Sequence, residues 1–326
     1  MKGIDSTVVN PQGGSGPSQA LRMVFRNVVR PIAKRYPINE VTIPLLRTAI
    51  DTAVKLRPDP QGVEREQILM NGFRMEVVRT VGDRRPLSEG AVMYMHGGAF
   101  FIGGIETHRP IAAALARRTG LPVVNVEYRQ LGGTRIPESI TDCMTAYRWL
   151  LRKGADPSRV VFAGDSAGGF LSFATALRAA EESLPAPAGI VGISPLLDLD
   201  YRAKRGYENV ERDDYIPLAG LQRMVRLGAE VDKRLDPALS PVNCALHGLP
   251  PVLLIVGEDE LLRYDCELMA HRLAEAGVPA TLELWRGQVH AFMSIAPGLP
   301  ESRMALARVA RFIRARTEAN PVARTA

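Results

Sequence analysis

The sequence predicts an α/β fold, a mostly parallel central sheet with helices on both faces. Three observations carry this. The runs at 92–95, 160–163 and 252–256 are continuously apolar, as strands buried on both faces are. They alternate with longer stretches of helical periodicity. Gly, Asp and Pro punctuate the junctions. With 326 residues, 46% of them hydrophobic, the chain can bury one large core and carry a smaller helical cap.

Residues 1–16 are rich in Gly, Ser, Pro and polar groups, which reads as a flexible arm or a segment ordered only against the cap. Residues 18–35 repeat Leu21, Val24, Val28 and Val29 at helical spacing, and 39–56 repeat Val41, Leu45, Leu46, Ile50 and Val54. Pro37 separates them. They read as two cap helices, or as surface helices of the core domain. Residues 75–81 read as a strand, with Gly82, Asp83 and Pro86 as its turn. A buried strand follows at 92–95 and ends at His96. Then come a helix at 111–118, a strand at 123–126, a helix at 142–151 capped by Thr141, and a strand at 160–163. Residues 189–193 form the next strand. Residues 203–232 are charged and read as a helical second cap piece. A strand at 252–256, a helix at 265–276 stopped by Gly277, a strand at 281–285 and a helix at 303–316 complete the chain. The expected divisions are an arm with cap helices over 1–58, the core over 59–202 and 233–318, the second cap segment over 203–232, and a tail over 319–326.

The chain has 41 Lys and Arg against 35 Asp and Glu, a formal charge of +6. There is no dense basic cluster with interleaved aromatics, so nucleic acid is not an expected partner; an anionic substrate or surface stays open. Three cysteines lie far apart and form no C-x-x-C pair, so neither a disulfide framework nor a zinc site is expected. Asp5, Asn10, Gln12 and Gly13 interrupt any signal-peptide core, and no stretch reaches the length of a membrane span. The expectation is a cytoplasmic protein with no stable membrane anchor.

Chemistry concentrates in Gly164-Asp165-Ser166-Ala167-Gly168-Gly169, which follows an apolar strand and precedes a helical stretch. G-x-S-x-G in that context is a nucleophile elbow: small residues let a sharp turn hold the serine hydroxyl at the tip of the sheet. Serine needs a base, and the base needs a third group to orient it. In the α/β-hydrolase order the acid and then the histidine follow the serine. Of five histidines, His247, His271 and His290 follow Ser166. His271 lies within a helix and His247 in a loop entering a strand. His290 follows the strand at 281–285, on the same sheet edge as the elbow, and is the expected base. The acid is expected after the strand at 252–256, where Glu258, Asp259 and Glu260 are consecutive; Asp259 and Glu260 are the contenders. His96-Gly97-Gly98-Ala99-Phe100 follows a strand and can present backbone N–H groups to an oxyanion, with Ala167 N–H as another donor.

These motifs resemble those of the hormone-sensitive-lipase-like family of bacterial carboxylesterases, within the α/β-hydrolase fold. The loop His96-Gly97-Gly98-Ala99-Phe100 is similar to the family's H-G-G-G-F/W, and Gly164 to Gly169 match its G-D-S-A-G-G. Asp156-Pro157-Ser158-Arg159-Val160, Ser194-Pro195-Leu196-Leu197-Asp198, Ser240-Pro241 and Leu249-Pro250-Pro251 add lesser resemblances. The likeness spans about residues 75 to 315. The family writes its acid as D-P-L-R-D about thirty residues before the histidine. That register carries the acid onto Glu260 of Glu260-Leu261-Leu262-Arg263, with Asp259 as the alternative. Ala99 stands where a third glycine is usual, and Tyr128-Arg129-Gln130-Leu131-Gly132-Gly133 departs from Y-R-L-A-P-E.

The resemblance implies a serine carboxylesterase acting on short- to medium-chain acyl esters through an acyl-enzyme, with no metal and no organic cofactor. Ser166, His290 and Glu260 would form the triad. Gly97, Gly98, Ala99 and Ala167 would form the oxyanion loop, with the N–H groups of the last three as donors. Phe100 and Phe101 would wall the acyl pocket. A homodimer is compatible with the family. A lactone, amide or acetylated-metabolite hydrolase would use the same triad. A non-catalytic receptor on this fold would typically lack the histidine that this chain retains. A true interfacial lipase would want a large apolar lid, and residues 203–232 are too charged for one.

Overall fold

A computed structural model of the chain describes residues 6–318. The first five residues of the expected arm and the tail 319–326 lie outside that range. Within it, nine strands form one sheet in the order β1-β9-β8-β7-β6-β4-β5-β3-β2. In chain order they are β1 (Ser6–Val8), β2 (Val63–Leu69), β3 (Arg74–Thr80), β4 (Ala91–Met95), β5 (Val123–Glu127), β6 (Val160–Asp165), β7 (Gly189–Ile193), β8 (Val252–Gly257) and β9 (Ala280–Trp285). Every pairing from β1 through β5 is parallel; β3 pairs antiparallel with both β5 and β2. Strands β4, β6, β7 and β8 are buried along their whole length, which is why they read as unbroken apolar runs.

The helices are α1 (Gly16–Val24), α2 (Arg30–Arg35), α3 (Thr42–Lys55), α4 (Ile105–Thr119), α5 (Ile136–Arg152), α6 (Ala167–Glu181), α7 (Leu218–Gly228), α8 (Arg263–Glu275), α9 (Phe292–Ile295) and α10 (Pro300–Thr317). Helices α5, α6 and α8 cover one face of the sheet with Met144, Leu150, Phe170, Phe173 and Met269. Helices α4, α9 and α10 cover the other with Ile111, Leu115, Phe292, Leu306 and Ile313. The loops that leave β4, β6, β7, β8 and β9 at their carboxyl ends therefore meet on one rim, where ligands of such sheets bind.

Several elements differ from the sequence reading, among them α4, which starts at Ile105 instead of the expected 111. Residues of the expected arm form β1 and extend the sheet beside β9, and Asn10 Nδ2 donates to the Arg286 carbonyl at 2.8 Å. Strand β2 (VEREQIL) is a solvent-facing edge whose charged residues hide the period-2 pattern. Helix α5 starts at Ile136, six residues before the expected 142: Pro137 fits its first turn, and Thr141, expected as a cap, lies inside it and donates to the Pro137 carbonyl. Residues 201–216 are successive turns, so only α7 is helical within 203–232.

The N-terminal helices lie over this rim. A π-helical turn (Phe25–Val29) joins α1 to α2. Phe25 packs edge-on against Tyr215 at 4.9 Å. Arg223 of α7 donates to the last carbonyls of α2, Ala33 and Lys34, at 3.0 Å each. Arg47 of α3 donates to the carbonyls of Phe101 and Leu131.

Candidate active site

Ser166 follows β6 and precedes α6, with φ 53° and ψ −117°. A non-glycine residue in that region is strained, and such strain collects where a side chain must be presented outside a regular element. The turn closes only with glycine on either side. A Cβ at Gly164 would lie 2.3 Å from the Gly168 carbonyl oxygen, and one at Gly168 would lie 1.9 Å from that of Met95. Here the spacing of G-x-S-x-G is a requirement of crowding. The Ser166 N–H donates to the Ile193 carbonyl at 2.8 Å, which ties the elbow to the end of β7.

His290 lies in the loop between β9 and α9 and is 4% exposed. Its Nδ1 is 2.7 Å from Oε2 of Glu260, which is 2% exposed. The other Glu260 oxygen accepts from Ser194 Oγ at 2.7 Å and from Gly257 N–H. Ser194 Oγ in turn accepts from Ala291 N–H at 3.1 Å, so one hydroxyl bridges the acid loop and the histidine loop. Burial lowers the His290 pKa. The Glu260 charge and hydrogen bond, with smaller contributions from Asp213 and Asp165, outweigh that and hold it above the usual 6.5. A hydrogen bond at Nδ1 leaves Nε2 as the free ring nitrogen. Among the described residues no hydrogen bond joins Nε2 to Ser166 Oγ.

The neighbouring carboxylates face elsewhere. Asp259 is an ion-pair partner of Arg22 at 2.9 Å, and Glu258 of Arg286 at 2.7 Å. Of the two contenders for the acid, the structure brings Glu260 to the imidazole.

The loop after β4 is equally constrained. A Cβ at Gly97 would lie 2.3 Å from Asp165 Oδ2, and Gly98 has φ +117° with no room for a Cβ beside the Ile102 carbonyl. Ala99 and Phe100 both adopt positive φ, 53° and 62°. Gly97 N–H is occupied, donating to Asp165 Oδ1 at 3.1 Å. The N–H groups of Gly98, Ala99 and Ala167 donate to no group among the described residues, as donors kept for a ligand oxygen would. The Phe100 ring departs from its expected place. It is wholly buried, edge-on to Phe170 at 5.3 Å, and supports the loop from beneath instead of walling a pocket. Phe101 is 8% exposed.

Several residues of this rim carry no signal that sequence reasoning used. Asp165, inside the elbow motif, accepts from Tyr94 Oη at 2.6 Å and lies 3.3 Å from His108 Nε2. Burial alone would raise its pKa, yet His108, Tyr94 and His96 bring it down to about 2, so it is ionised. Burial and the neighbouring His108 lower His96 to about 3, leaving a neutral ring stacked on Tyr128 at 4.3 Å. Asp213, from the segment of turns, is fully enclosed and accepts from the N–H groups of Leu261, Tyr215 and Ile216. Burial, then the Glu260 charge, pushes it up to about 6. Among the described residues no cluster of His, Cys, Asp and Glu could hold a metal ion.

Comparisons with known proteins identify the fold and the family. A family model described as alpha/beta hydrolase fold matches residues 92–294. The chain is 36% identical over 279 residues to carboxylesterase/phospholipase LipF of Mycobacterium tuberculosis, covering 83% of this chain and 74% of that protein. It is 37% identical over 233 residues to esterase LipU of the same organism, covering 70% and 78%. Among solved structures, an esterase from the bacterial hormone-sensitive lipase family superposes with a TM-score of 0.82 at 30% identity, covering 93% of this chain and 99% of that one.

Proposed function

This chain belongs to the hormone-sensitive-lipase-like esterases of the α/β-hydrolase fold, and from that premise we propose that it hydrolyses its esters with Ser166 as nucleophile, His290 as base and Glu260 as the orienting acid. It is an ester hydrolase acting on small-molecule esters. The observation that carries the mechanistic reading is the buried Glu260–His290 pair at 2.7 Å, on the rim that also holds Ser166. Glu260 fixes the tautomer with the proton on Nδ1, so Nε2 can take the Ser166 proton as Oγ adds to the ester carbonyl. The tetrahedral oxyanion falls to the free N–H groups of Gly98, Ala99 and Ala167. The imidazolium then protonates the departing alkoxide, leaving an acyl-enzyme. In the second half His290 takes a proton from water, hydroxide adds to the acyl carbon, and Ser166 Oγ leaves with that proton.

The acyl groups we assign to these esters are short to medium in length. Relatives of the chain are named acetyl-hydrolase and ethyl acetate hydrolase. We place the helices of residues 16–57 and the segment 203–232 as the cap of this site.

The test is covalent. A fluorophosphonate should add its phosphoryl group to Ser166 with loss of fluoride, detected as a mass shift on the peptide that contains it. Ser166→Ala should abolish both the label and p-nitrophenyl acetate hydrolysis, a fall on the order of 10⁶-fold in kcat. Label on another residue, or turnover retained in Ser166→Ala, would overturn the assignment.

A further inference from the structure

The helices over the rim are apolar on their outer side as well as their inner one. Leu21 and Phe25 face inward and pack on the core. Met23, Val24, Val28, Ile32, Val41 and Leu45 face outward and are between 52% and 73% exposed. A surface helix normally turns charged residues to water. Here the π-helical turn, closed by Arg30 N–H on the Phe25 carbonyl, widens the spiral and keeps Val24, Val28 and Ile32 on one line. Contiguous exposed apolar surface of this kind marks a site of contact.

The charge around it identifies the contact. Residues 17–57 hold eight Lys and Arg and two Asp and Glu, and the rest of the chain is balanced at thirty-three of each. The whole +6 therefore resides in these helices. Arg22 is spent on Asp214 and Asp259, and Arg47 on backbone carbonyls. Arg26, which also reaches Asp214 at 3.6 Å, remains exposed along the apolar line, as do Lys34, Arg35 and Lys55. A second copy placed against this face by two-fold symmetry would set that positive charge against itself. An anionic lipid surface complements both features: cations meet the headgroups while Val24, Val28 and Ile32 enter the acyl boundary.

We propose that this helical face docks the enzyme reversibly on anionic lipid surfaces, so that the esters it meets are amphiphilic lipid esters held there. The substrate half of this proposal rests on the Ser166 reading above. The inner side of the same helix touches the site: Arg22 holds Asp259 next to Glu260, and Phe25 packs on Tyr215, whose ring is 5.7 Å from that of His290. The helix that carries the outer apolar line and the Tyr215 ring are thus what lies between that line and the imidazole.

The experiment is co-sedimentation of the full chain with phosphatidylcholine vesicles, with and without about one-third phosphatidylglycerol, at low and high salt. Binding should be about tenfold or more stronger to the anionic vesicles and should fall as salt rises. The combined Val24→Ser, Val28→Ser and Ile32→Ser variant should lose at least about tenfold in vesicle binding, with p-nitrophenyl acetate hydrolysis in vesicle-free buffer within about twofold of the parent. Ser166→Ala should bind vesicles as the parent does, so a failure of the nucleophile assignment leaves the docking result intact. Equal or absent binding to the two vesicle types, or unchanged binding in the triple variant, overturns the proposal. So does a parent dimer that the triple variant converts to monomer, which would make this face an interface between copies.

Discussion

Two imidazole–carboxylate pairs flank Ser166, and they are built differently. On one side His290 and Glu260 meet at 2.7 Å, and the second Glu260 oxygen is held by Ser194 and Gly257. On the other, His108 approaches Asp165 at 3.3 Å, while Asp165 spends its stronger bonds on Tyr94 and on the Gly97 N–H. The first pair is arranged around the imidazole, the second around the carboxylate. In the proposed mechanism Glu260 orients the base, whereas Asp165 holds the Gly97 N–H of the loop whose next N–H groups are free. Under that mechanism a carboxylate thus serves a proton acceptor on one flank and an anion cradle on the other.

The sharpest way to break this contrast is Glu260→Gln. It should lower kcat/KM by about 10⁴-fold, because an amide there cannot hold the imidazole in the required tautomer. Asp259→Asn, which removes only a half-buried partner of Arg22, should change the rate by less than about threefold. The reverse ranking in steady-state assays would move the acid to Asp259. On the other flank Asp165→Asn should cost about 10- to 10²-fold in kcat with KM little changed, since the oxyanion donors lose their anchor and the base does not. A larger effect on KM than on kcat would count against that role.

The pH profile sharpens the comparison further. His290 must be neutral to accept a proton, and its pKa lies above 6.5, so kcat/KM should fall on the acid side with an apparent pKa above that value. Asp213 faces the pair and helps hold that pKa up. Asp213→Asn should therefore move the acid limb to lower pH, and an upward or absent movement would exclude its influence. The smallest expected effect is on stability. The Asp165 pKa is depressed from 3.8 to about 2. Its ionised form contributes stability that is present above the unfolded pKa and is lost as pH falls toward 2. The melting-temperature gap between the parent and Asp165→Asn should be constant above about pH 5 and narrow below it. A gap independent of pH would show that the carboxylate acts by shape alone.

The same contrast explains what was legible in the sequence. Gly164, Gly168, Gly97 and Gly98 could be read because steric crowding at the rim admits nothing larger, so chemistry and sequence spacing coincide. Buried β4, β6 and β8 were legible for a like reason, as burial on both faces leaves only apolar residues. Asp213 was not legible: it comes from a run of turns with no period, and its role arises only where that run meets Leu261. His108 precedes Ser166 in sequence, so an ordering argument that looks downstream passes over it. Phe100 was placed in the pocket by its position in the loop, but positive φ at Ala99 and at Phe100 itself turns the ring into the core. Strand β1 lacks any pattern of its own, because three residues borrow their conformation from β9.

That borrowed strand has a consequence for how the molecule is made. Ser6–Val8 pair with Leu282–Leu284, and Asn10 bonds a carbonyl 276 residues further along the chain. During synthesis the early segment leaves the ribosome long before its partner exists. Contacts so distant in sequence form late and slowly. Until β9 is finished, the strand that leads into the helix bearing Arg22 has no edge to pair with. Enzyme assembly therefore closes like a belt whose buckle is the last part delivered, and a nascent chain stalled before β9 carries the nucleophile without its base.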